Sequence, residues 1–293
     1  MASAHSPMQV EQDAPQWRRL PRLGGGTIAL LTGSVMLAVL VVACVGAPLF
    51  TSYSPTALDP AAALQAPSAD HWFGTDQYGQ DVFTRTLYAG RVDLLIGIVL
   101  VGTALCIGTC VGLISAWRQG WVDVVTQRVI DVGFAFPFLV LIIAMVGLLG
   151  AGLSSLFIAV GLVAWIFYAR LVRSEVLIAK QQDYITAARV SGYSTPRILI
   201  RHLLPTVSGQ LIVYATADFV YAVLLGASVS YLGLGVQPPT PEWGAMIQSG
   251  QNFVANEWWI SFFPGMAIVY LGVALALMGD GLADLLRAGR SHQ

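Results

Sequence analysis

The stretch DYITAARVSGYSTPRILIRHLLP, residues 183–205, is a polar interruption in an apolar chain, and its composition predicts two short helices joined by a hinge. The first helix continues a helical pattern that begins in the preceding apolar run. Ala187 and Ala188 present little bulk near its end. Gly192 then lets the chain turn without the steric penalty of a Cβ atom.

The second half of this stretch restarts a helix. Ser194 or Thr195 is placed as the N-cap residue, and Pro196 stands at the first helical position, where its missing N–H leaves no helical hydrogen bond unmade. Pro205 marks the start of the next apolar run. The apolar face of this helix consists of Ile198, Leu199 and Leu203.

Physical reasoning alone leaves two interpretations of residues 183–205 open. A short helix with small residues at its tip, exposed beyond a membrane, suits docking into the groove of a partner protein. A solvated amphipathic loop lying on anionic lipid headgroups fits the same residues.

The composition places most of the chain in a lipid bilayer. Of its 293 residues 56% are hydrophobic and only 11% are charged, against about a quarter charged in soluble domains. A spanning helix needs about 20 mainly apolar residues. We therefore expect an all-α integral membrane protein with six spans, at 27–50, 94–117, 129–150, 153–169, 211–232 and 259–278.

The first and fourth apolar runs need a separate interpretation. Three arginines precede the first run, as in a signal peptide, but its core is long for that role and further spans follow, so we expect an uncleaved helix. The fourth run is short, and the AGLSS turn before it predicts a tight hairpin with the third run.

The distribution of lysine and arginine predicts the orientation of these spans. With six spans both termini lie on one side, and that side receives thirteen of the fifteen lysines and arginines. Cytoplasmic loops carry such an excess. The termini and residues 170–206 are thus expected in the cytoplasm, and 51–93 and 233–258 outside. The cytoplasmic set is Arg18, Arg19, Arg22, Arg118, Arg128, Arg170, Arg173, Lys180, Arg189, Arg197, Arg201, Arg287 and Arg290, and the outer set is Arg85 and Arg91.

The outer segments differ in character. Residues 51–71 are rich in Pro, Ala and Ser and predict an irregular loop. Residues 72–93 follow with an apolar pattern that predicts a partly amphipathic helix along the membrane surface. Residues 232–246 are dense in Gly and Pro, cannot continue a helix, and are expected as ordered loop or re-entrant backbone.

Several chemistries have no motif in this chain. A phosphate-binding loop of the GxxxxGK[ST] type, a HExxH zinc motif and a GxSxG nucleophile elbow are all missing from the sequence. The three cysteines lie in apolar runs and are expected as free thiols. We therefore expect neither an enzyme, nor a metal site, nor a cofactor bound by this chain. With a net charge of −1, no nucleic-acid partner is expected either.

Two acids lie inside predicted spans, where a carboxylate is costly and suggests function. Asp131 is near the cytoplasmic end of its helix, where snorkelling or pairing with Arg128 is the simpler explanation. Asp218 lies deeper, and it faces a water-filled passage, is protonated, or pairs with another helix.

The 183–205 stretch resembles the inner-loop signature of permease subunits of ATP-driven, binding-protein-dependent importers. The family pattern of Glu-Ala-Ala, Gly and a terminal Leu-Pro reads here as Thr186-Ala187-Ala188, Gly192 and Leu204-Pro205. The peptide and nickel branch of that family is resembled by FGTDQYGQDV (73–82), RVIDVGFAFPFLVL (128–141), ARLVRSEVL (169–177), SYLGLGVQPPTPEWGAM (230–246) and MGDGLADLLR (278–287).

This resemblance implies a second, C-type permease subunit of a dipeptide or oligopeptide importer in a bacterial inner membrane. Its partners would be a homologous permease, two ATPases that bind ATP and Mg²⁺, an extracytoplasmic substrate-binding protein, lipid and a peptide substrate. The implied layout is a cytoplasmic tail (1–26), a first helix with an outer loop (27–93), a core permease domain (94–287) and a second tail (288–293). A nickel or other small-solute importer of the same branch is the alternative.

The resemblance also implies roles for individual residues. Contact with the ATPases falls to Asp183, Tyr184, Thr186, Ala187, Ala188, Gly192, Arg201 and Pro205. The translocation pathway, between the two permeases, would involve Asp131, Pro137 and Asp218. The outer contacts with the binding protein would be Gly74, Asp76, Gly79, Asp81, Pro238, Pro239 and Trp243.

Three positions depart from the pattern of the family. Thr186 replaces its usual Glu, Gln80 stands where Arg is common, and Gly226 stands where Glu is frequent. The family's residue roles are not carried over to these positions.

Overall fold

A computed structural model describes residues 25–290, and within them the chain is helical with no strand longer than one isolated bridge between Thr75 and Asp81. The predicted tails at 1–26 and 288–293 fall almost wholly outside the residues whose side chains are described. The helices are α1 (Gly25–Val45), α2 (Ala47–Phe50), α3 (Val82–Arg118), α4 (Gly120–Phe134), α5 (Phe138–Leu149), α6 (Leu153–Val163), α7 (Trp165–Ala179), α8 (Asp183–Val190), α9 (Thr195–Ile198), α10 (Leu204–Tyr231), α11 (Trp243–Gly250) and α12 (Trp259–Arg290).

Five helical stretches are long and apolar enough to cross a membrane, and a sixth span results if the bent pair α4 and α5 counts as one. The structure corrects the third predicted span, 129–150, which is not straight. Its two helices meet at 87°. Pro137, at the N-cap of α5, provides the reason, because a proline disfavours helical backbone in the residue before it.

Two other boundaries differ from the predicted ones. The surface helix expected over 72–93 is instead a loop up to Asp81, after which α3 runs without a break into the membrane span. The span predicted at 211–232 begins earlier, since α9 continues into α10 through a π-helical turn at Leu199–Leu203. Local apolar patterns do not distinguish these cases, because a packed loop and a surface helix bury similar residues.

Two apolar clusters form the core. The larger joins α3, α7 and α10 with the short helices α8 and α9, and includes Tyr168 and Ile185. The smaller surrounds the fully buried Trp243 and includes Cys44 and Ile260. The first cluster positions residues 180–205, and the second positions 51–81 and 232–258. These parts of the chain are called the hinge segment and the cap segments below.

Candidate functional site

The hinge segment, residues 180–205, contains the turn that the sequence predicts. Gly192 has a φ of +78°, in the left-handed region. Its N–H donates to the carbonyl of Arg189 at 3.0 Å, and the N–H of Tyr193 donates to the carbonyl of Ala188 at 3.1 Å. This pair of bonds is the Schellman motif, which ends a helix at a left-handed residue. A Cβ atom at Gly192 would meet no heavy atom within 4 Å, so backbone conformation alone requires the glycine.

Helix α8 has one buried edge and one exposed face. Ile185 is fully buried and Ala188 is 7% exposed, and both pack in the larger core cluster. Ala188 is therefore wrongly predicted as part of a partner-facing surface, because its spacing of three residues from Ile185 places it on the buried edge. The other residues expected at that surface are exposed, namely Asp183, Tyr184, Thr186, Ala187, Gly192, Arg201 and Pro205.

The exposed face of the hinge segment carries apolar and aromatic side chains beside its arginines. Val190 is 85% exposed and Tyr184 is 43% exposed. The guanidinium of Arg197 lies 4.3 Å from the ring centroid of Tyr193, and that ring stacks on His202. Such a face, presented on a short helix, has the character of a protein-binding surface.

Two cationic side chains of the hinge segment lie over the ring of Trp117, at the end of a membrane span. Trp117 lies in the last turn of α3, with the guanidinium of Arg189 4.4 Å and the ammonium of Lys180 5.4 Å from its ring centroid. Lys180 also donates to the carbonyl of Ala116 at 2.9 Å, at the carboxyl end of α3. Burial and the charge of Arg189 lower the pKa of Lys180. Trp117 thus links Lys180 and Arg189 to the end of α3, and the sequence pattern does not single it out.

An ion pair holds the neighbouring helices at this end. Arg173 of α7 donates to both carboxylate oxygens of Asp123 on α4, at 2.6 and 2.7 Å. The hydroxyl of Ser115 on α3 donates to the same carboxylate. A two-point contact of this kind fixes the relative position of three helices more firmly than a single ion pair does.

Asp218 pairs with another helix, which is one of its three predicted roles. The hydroxyl of Tyr168 on α7 donates to its carboxylate at 2.8 Å. A small cavity of about 20 Å³ adjoins the carboxylate and is otherwise lined by apolar and aromatic side chains such as Phe138 and Tyr221.

Asp131 and Pro137 are exposed on the bent pair α4 and α5. The simple pairing of Asp131 with Arg128 is not among the ion pairs of the described residues. Pro137 lies at the bend itself. These two residues and Asp218 are not brought together into one polar site by this chain.

The acids of the first cap segment serve the packing of their own loop. Asp76 is 4% exposed and accepts the N–H groups of Tyr78 and Gln80, both at 2.9 Å. Burial raises its pKa, and Arg85, with its nitrogen 3.6 Å away, opposes that rise. Asp81 caps α3 by accepting from the N–H of Thr84 at 2.7 Å.

Most of the outer residues expected to contact a binding protein are thus buried, which corrects that prediction. Gly74, Asp76, Gly79, Asp81 and Trp243 are all inside the cap segments. A Cβ atom at Gly74 would lie 2.6 Å from the carbonyl oxygen of Gln65, and one at Gly79 would overlap the carbonyl of Asp59. These glycines allow two stretches of backbone to approach closely. Only Pro238 and Pro239 of this set are exposed.

A cavity of about 720 Å³ opens between the two cap segments. Its wall includes Gln77, Arg85, Gln248 and Asn252, with Pro238 and Pro239 at one side. Hydrogen-bonding and apolar side chains therefore both line the concave part of the cap.

Two buried acids at the start of α11 are not singled out by the sequence pattern. Asp93, in α3, and Glu242, before α11, are both fully buried. The N–H of Trp243 donates to Asp93 at 3.0 Å, and the N–H groups of Gly244 and Ala245 donate to Glu242. The available signal is Asp93 itself, an acid beside an apolar run. The apolar pattern places this residue at the membrane surface instead of in the core.

The three positions that depart from the family pattern have separate surroundings. Thr186 is exposed on α8. Gln80 is buried and accepts a hydrogen bond from Arg85. A Cβ atom at Gly226 would lie 2.9 Å from a methyl group of Ile96, so α10 approaches α3 closely there.

Within residues 25–290, no three His, Cys, Asp or Glu side chains are arranged to hold a metal ion, and the three cysteines are unpaired.

Comparison with known proteins places these features in context. Residues 108–291 match the model of the family described as binding-protein-dependent transport system inner membrane component. A dipeptide transport system permease protein of Alkalihalophilus pseudofirmus is 39% identical over 256 residues, which are 87% of this chain and 84% of the relative. One from Bacillus subtilis is 35% identical over 95% of this chain and 86% of its own length. A glutathione transport system permease protein of Pectobacterium atrosepticum is 36% identical over 92% and 89%.

Proposed function

Because this chain belongs to the family of binding-protein-dependent transport system inner membrane components, we propose that it is the permease subunit through which an importer passes peptides across the cytoplasmic membrane. It is an integral membrane protein and a transport subunit, and partners of the ATPase and substrate-binding kinds go with that family. The peptide substrate is inferred from similar proteins, two named as dipeptide permeases and one as a glutathione permease, glutathione being itself a tripeptide.

The observation that carries this function is the hinge segment. It lies inside the family match and presents an exposed face, with Tyr184, Ala187 and Val190, on a helix of eight residues. The opposite edge of that helix packs on the span core through Ile185. A helix that packs on the span core along one edge and is free on the other can receive the motion of a partner and pass it to the spans.

The proposed orientation places the hinge segment and both termini in the cytoplasm and the cap segments outside. The excess of Lys and Arg near the hinge segment supports it. Single cysteines at Ser68 and Ser194, both exposed, test it in a chain whose three native cysteines are replaced. An impermeant maleimide applied to intact cells should label position 68 and not 194, and the reverse pattern would overturn the orientation.

Two permeases of this kind are proposed to enclose the pathway, with a homologous subunit as the second. In the proposed assembly two ATPase subunits bind ATP and Mg²⁺, and each ATPase contacts the hinge segment of one permease. The role of this chain is then mechanical, since α8 moves with its ATPase and the spans packed against it change their relative positions.

The function is tested by reconstituting the chain in vesicles with its second permease, ATPases and binding protein. ATP-dependent uptake of labelled di- and oligopeptides is expected, and uptake of Ni²⁺ is not. Vesicles with an ATPase that cannot hydrolyse ATP provide the control. ATP-dependent uptake of Ni²⁺ without peptide uptake would overturn the peptide assignment in favour of the small-solute alternative.

A further inference from the structure

The two buried acids Asp93 and Glu242 meet side chain to side chain beneath the cap segments. Both residues are fully buried, one on a membrane span and the other in the loop before α11. Asp93 Oδ2 accepts a hydrogen bond from the N–H of Trp243, the residue that follows Glu242, and this brings the two carboxyl groups within hydrogen-bonding reach of each other. Two carboxylates cannot form such a bond unless one of them carries a proton.

The hydrogen bonds around the pair indicate where that proton lies. Helix α11 begins with three N–H groups that have no partner within the helix, and the pair satisfies all three. Asp93 accepts from Trp243 through Oδ2, and Glu242 accepts from Gly244 and Ala245 through its two oxygens. Glu242 therefore has the environment of an ionised helix cap. Asp93 Oδ1 is buried and has no hydrogen-bond donor among the described residues.

No cation among the described residues neutralises the pair. The three ion pairs within residues 25–290 involve other acids. Cys44 of α1 is a further titratable group that lies close enough to Asp93 to feel its charge. Arg91 is directed away from the pair, since it donates to the carbonyls of Cys44 and Val45 at 2.7 and 2.8 Å. From α10 the hydroxyl of Ser230 lies beside Glu242 and accepts from the N–H of Val236.

We propose that Asp93 and Glu242 form a proton-binding site, in which Asp93 Oδ1 holds one proton and donates it to the Glu242 carboxylate. The pair then carries one negative charge instead of two, and that charge lies at the start of α11. The bound proton gives the orphaned oxygen its missing partner. It also joins the second cap segment to α3, the span that leads to Trp117 and the hinge segment.

The site makes the attachment of the cap dependent on pH. Burial of the pair disfavours its doubly charged state, so the shared proton leaves at a higher pH than it would from an exposed carboxyl group, and the N–H groups of Gly244 and Ala245 oppose that effect. A carboxyl group whose pKa is raised by folding stabilises the folded chain fully below its ordinary pKa, and that contribution is lost as the pH rises through the folded-state value. Release of the proton leaves two like charges in contact, so alkaline conditions should loosen the cap.

Infrared spectroscopy of the purified full chain tests the proposal, because a protonated carboxyl group absorbs at a C=O frequency separate from that of carboxylates. The wild-type chain should show a protonated-carboxyl band at neutral pH that Asp93→Asn lacks. Asn is the matched replacement, since its N–H₂ can donate to Glu242 as the protonated acid does. Asp70→Asn, an exposed acid in the first cap segment, should leave the band unchanged.

Thermal unfolding over a pH series gives the second reading. Between about pH 5 and about pH 9, the unfolding midpoint temperature of the wild-type chain should fall more steeply with rising pH than that of Asp93→Asn. Buried carboxyl groups stay protonated up to the alkaline end of this range in other proteins. An identical band in wild type and Asp93→Asn, or equal pH slopes, would overturn the proposal. If the variant does not fold, loss of the band on raising the pH of the wild-type chain supports the site, and a band constant to the alkaline limit overturns it. None of these readings needs transport, so a failed uptake assay leaves this test intact.

Discussion

The two polar regions of this molecule, the cap segments and the hinge segment, are built in opposite ways. In the cap the charged groups are buried and matched within the chain, as with Asp76, Asp81 and Glu242. In the hinge segment the apolar and aromatic groups are exposed, as with Val190 and Tyr184. The buried acids of the cap are therefore matched within the chain, whereas the hinge segment presents apolar side chains on a short helix, which suits contact with another protein.

The cap segments and the hinge helix are also held to the rest of the chain by different kinds of contact. The cap is held by its own tryptophan core and by backbone contacts that leave no room for a Cβ atom at Gly74 or Gly79. The hinge helix is held by the buried Ile185 and by the cations on Trp117. A rigid outer end and a thinly attached inner helix suit a subunit that receives motion at one end only.

Replacing one glycine by alanine in each region should give the largest difference in loss of folding stability. Gly79→Ala introduces a Cβ atom that overlaps the Asp59 carbonyl at a positive φ of 72°, and we expect a loss of more than about 3 kcal/mol of folding stability. Gly192→Ala meets open space and should lose only the left-handed strain of about 1–2 kcal/mol. Fluorescence-detected size exclusion after heating measures both. Equal losses would mean that the cap is no more tightly packed than the hinge.

Removing the tryptophan beneath the hinge should disturb coupling more than folding. Trp117→Leu deletes the ring under Arg189 and Lys180, and we expect the peptide transported per ATP hydrolysed to fall about three- to tenfold. Trp121→Leu is the matched control, since Trp121 is 77% exposed a turn further on. Trp117→Phe should restore much of the ratio. An unchanged ratio in Trp117→Leu would assign the ring to packing alone.

A charge on the exposed hinge face should weaken ATPase binding without loosening the chain. Val190→Glu places a carboxylate where an 85% exposed apolar side chain stands, and a loss of about tenfold in ATPase affinity is expected. Val254→Glu, at a 53% exposed site in the second cap segment, serves as the control. Affinity can be measured with purified ATPase and the permease pair in lipid nanodiscs. If the two variants bind ATPase equally well, Val190 lies outside the contact.

The smallest effect is expected at the start of α8. Asp183→Asn removes an exposed charge, a change worth about 0–1 kcal/mol, so uptake should remain within a few fold of wild type. Thr186→Glu restores the residue common in the family at a neighbouring exposed position, and it should raise coupling only if a missing charge limits it. A severe defect in Asp183→Asn would show that charge, and not shape, dominates this face.

Features that depend on local chemistry are predictable from the sequence. The hinge at Gly192 follows from one residue type in a polar stretch, and the spans follow from runs of apolar residues. The sequence alone places Ala188 on the wrong face, because the distinction between Ala187 and Ala188 depends on where Ile185 packs.

Features set by distant contacts are out of reach of local patterns. Asp93 and Glu242 become one site only when α3 and the loop before α11 pack together. The outer glycines and acids expected to contact a binding protein pack within the chain, through neighbours that are distant in sequence. The bend at Pro137 has a signal in the sequence, the proline itself, which the length of the apolar run obscures.

Hydrogen–deuterium exchange tests the contrast between the two regions most directly. The full chain with its second permease in nanodiscs would be compared with and without the ATPase subunits. We expect amide protection to rise in residues 183–193 when the ATPases bind, while residues 72–82 and 233–250 stay protected in both states. Exchange in residues 183–193 that does not change on ATPase binding would contradict the account.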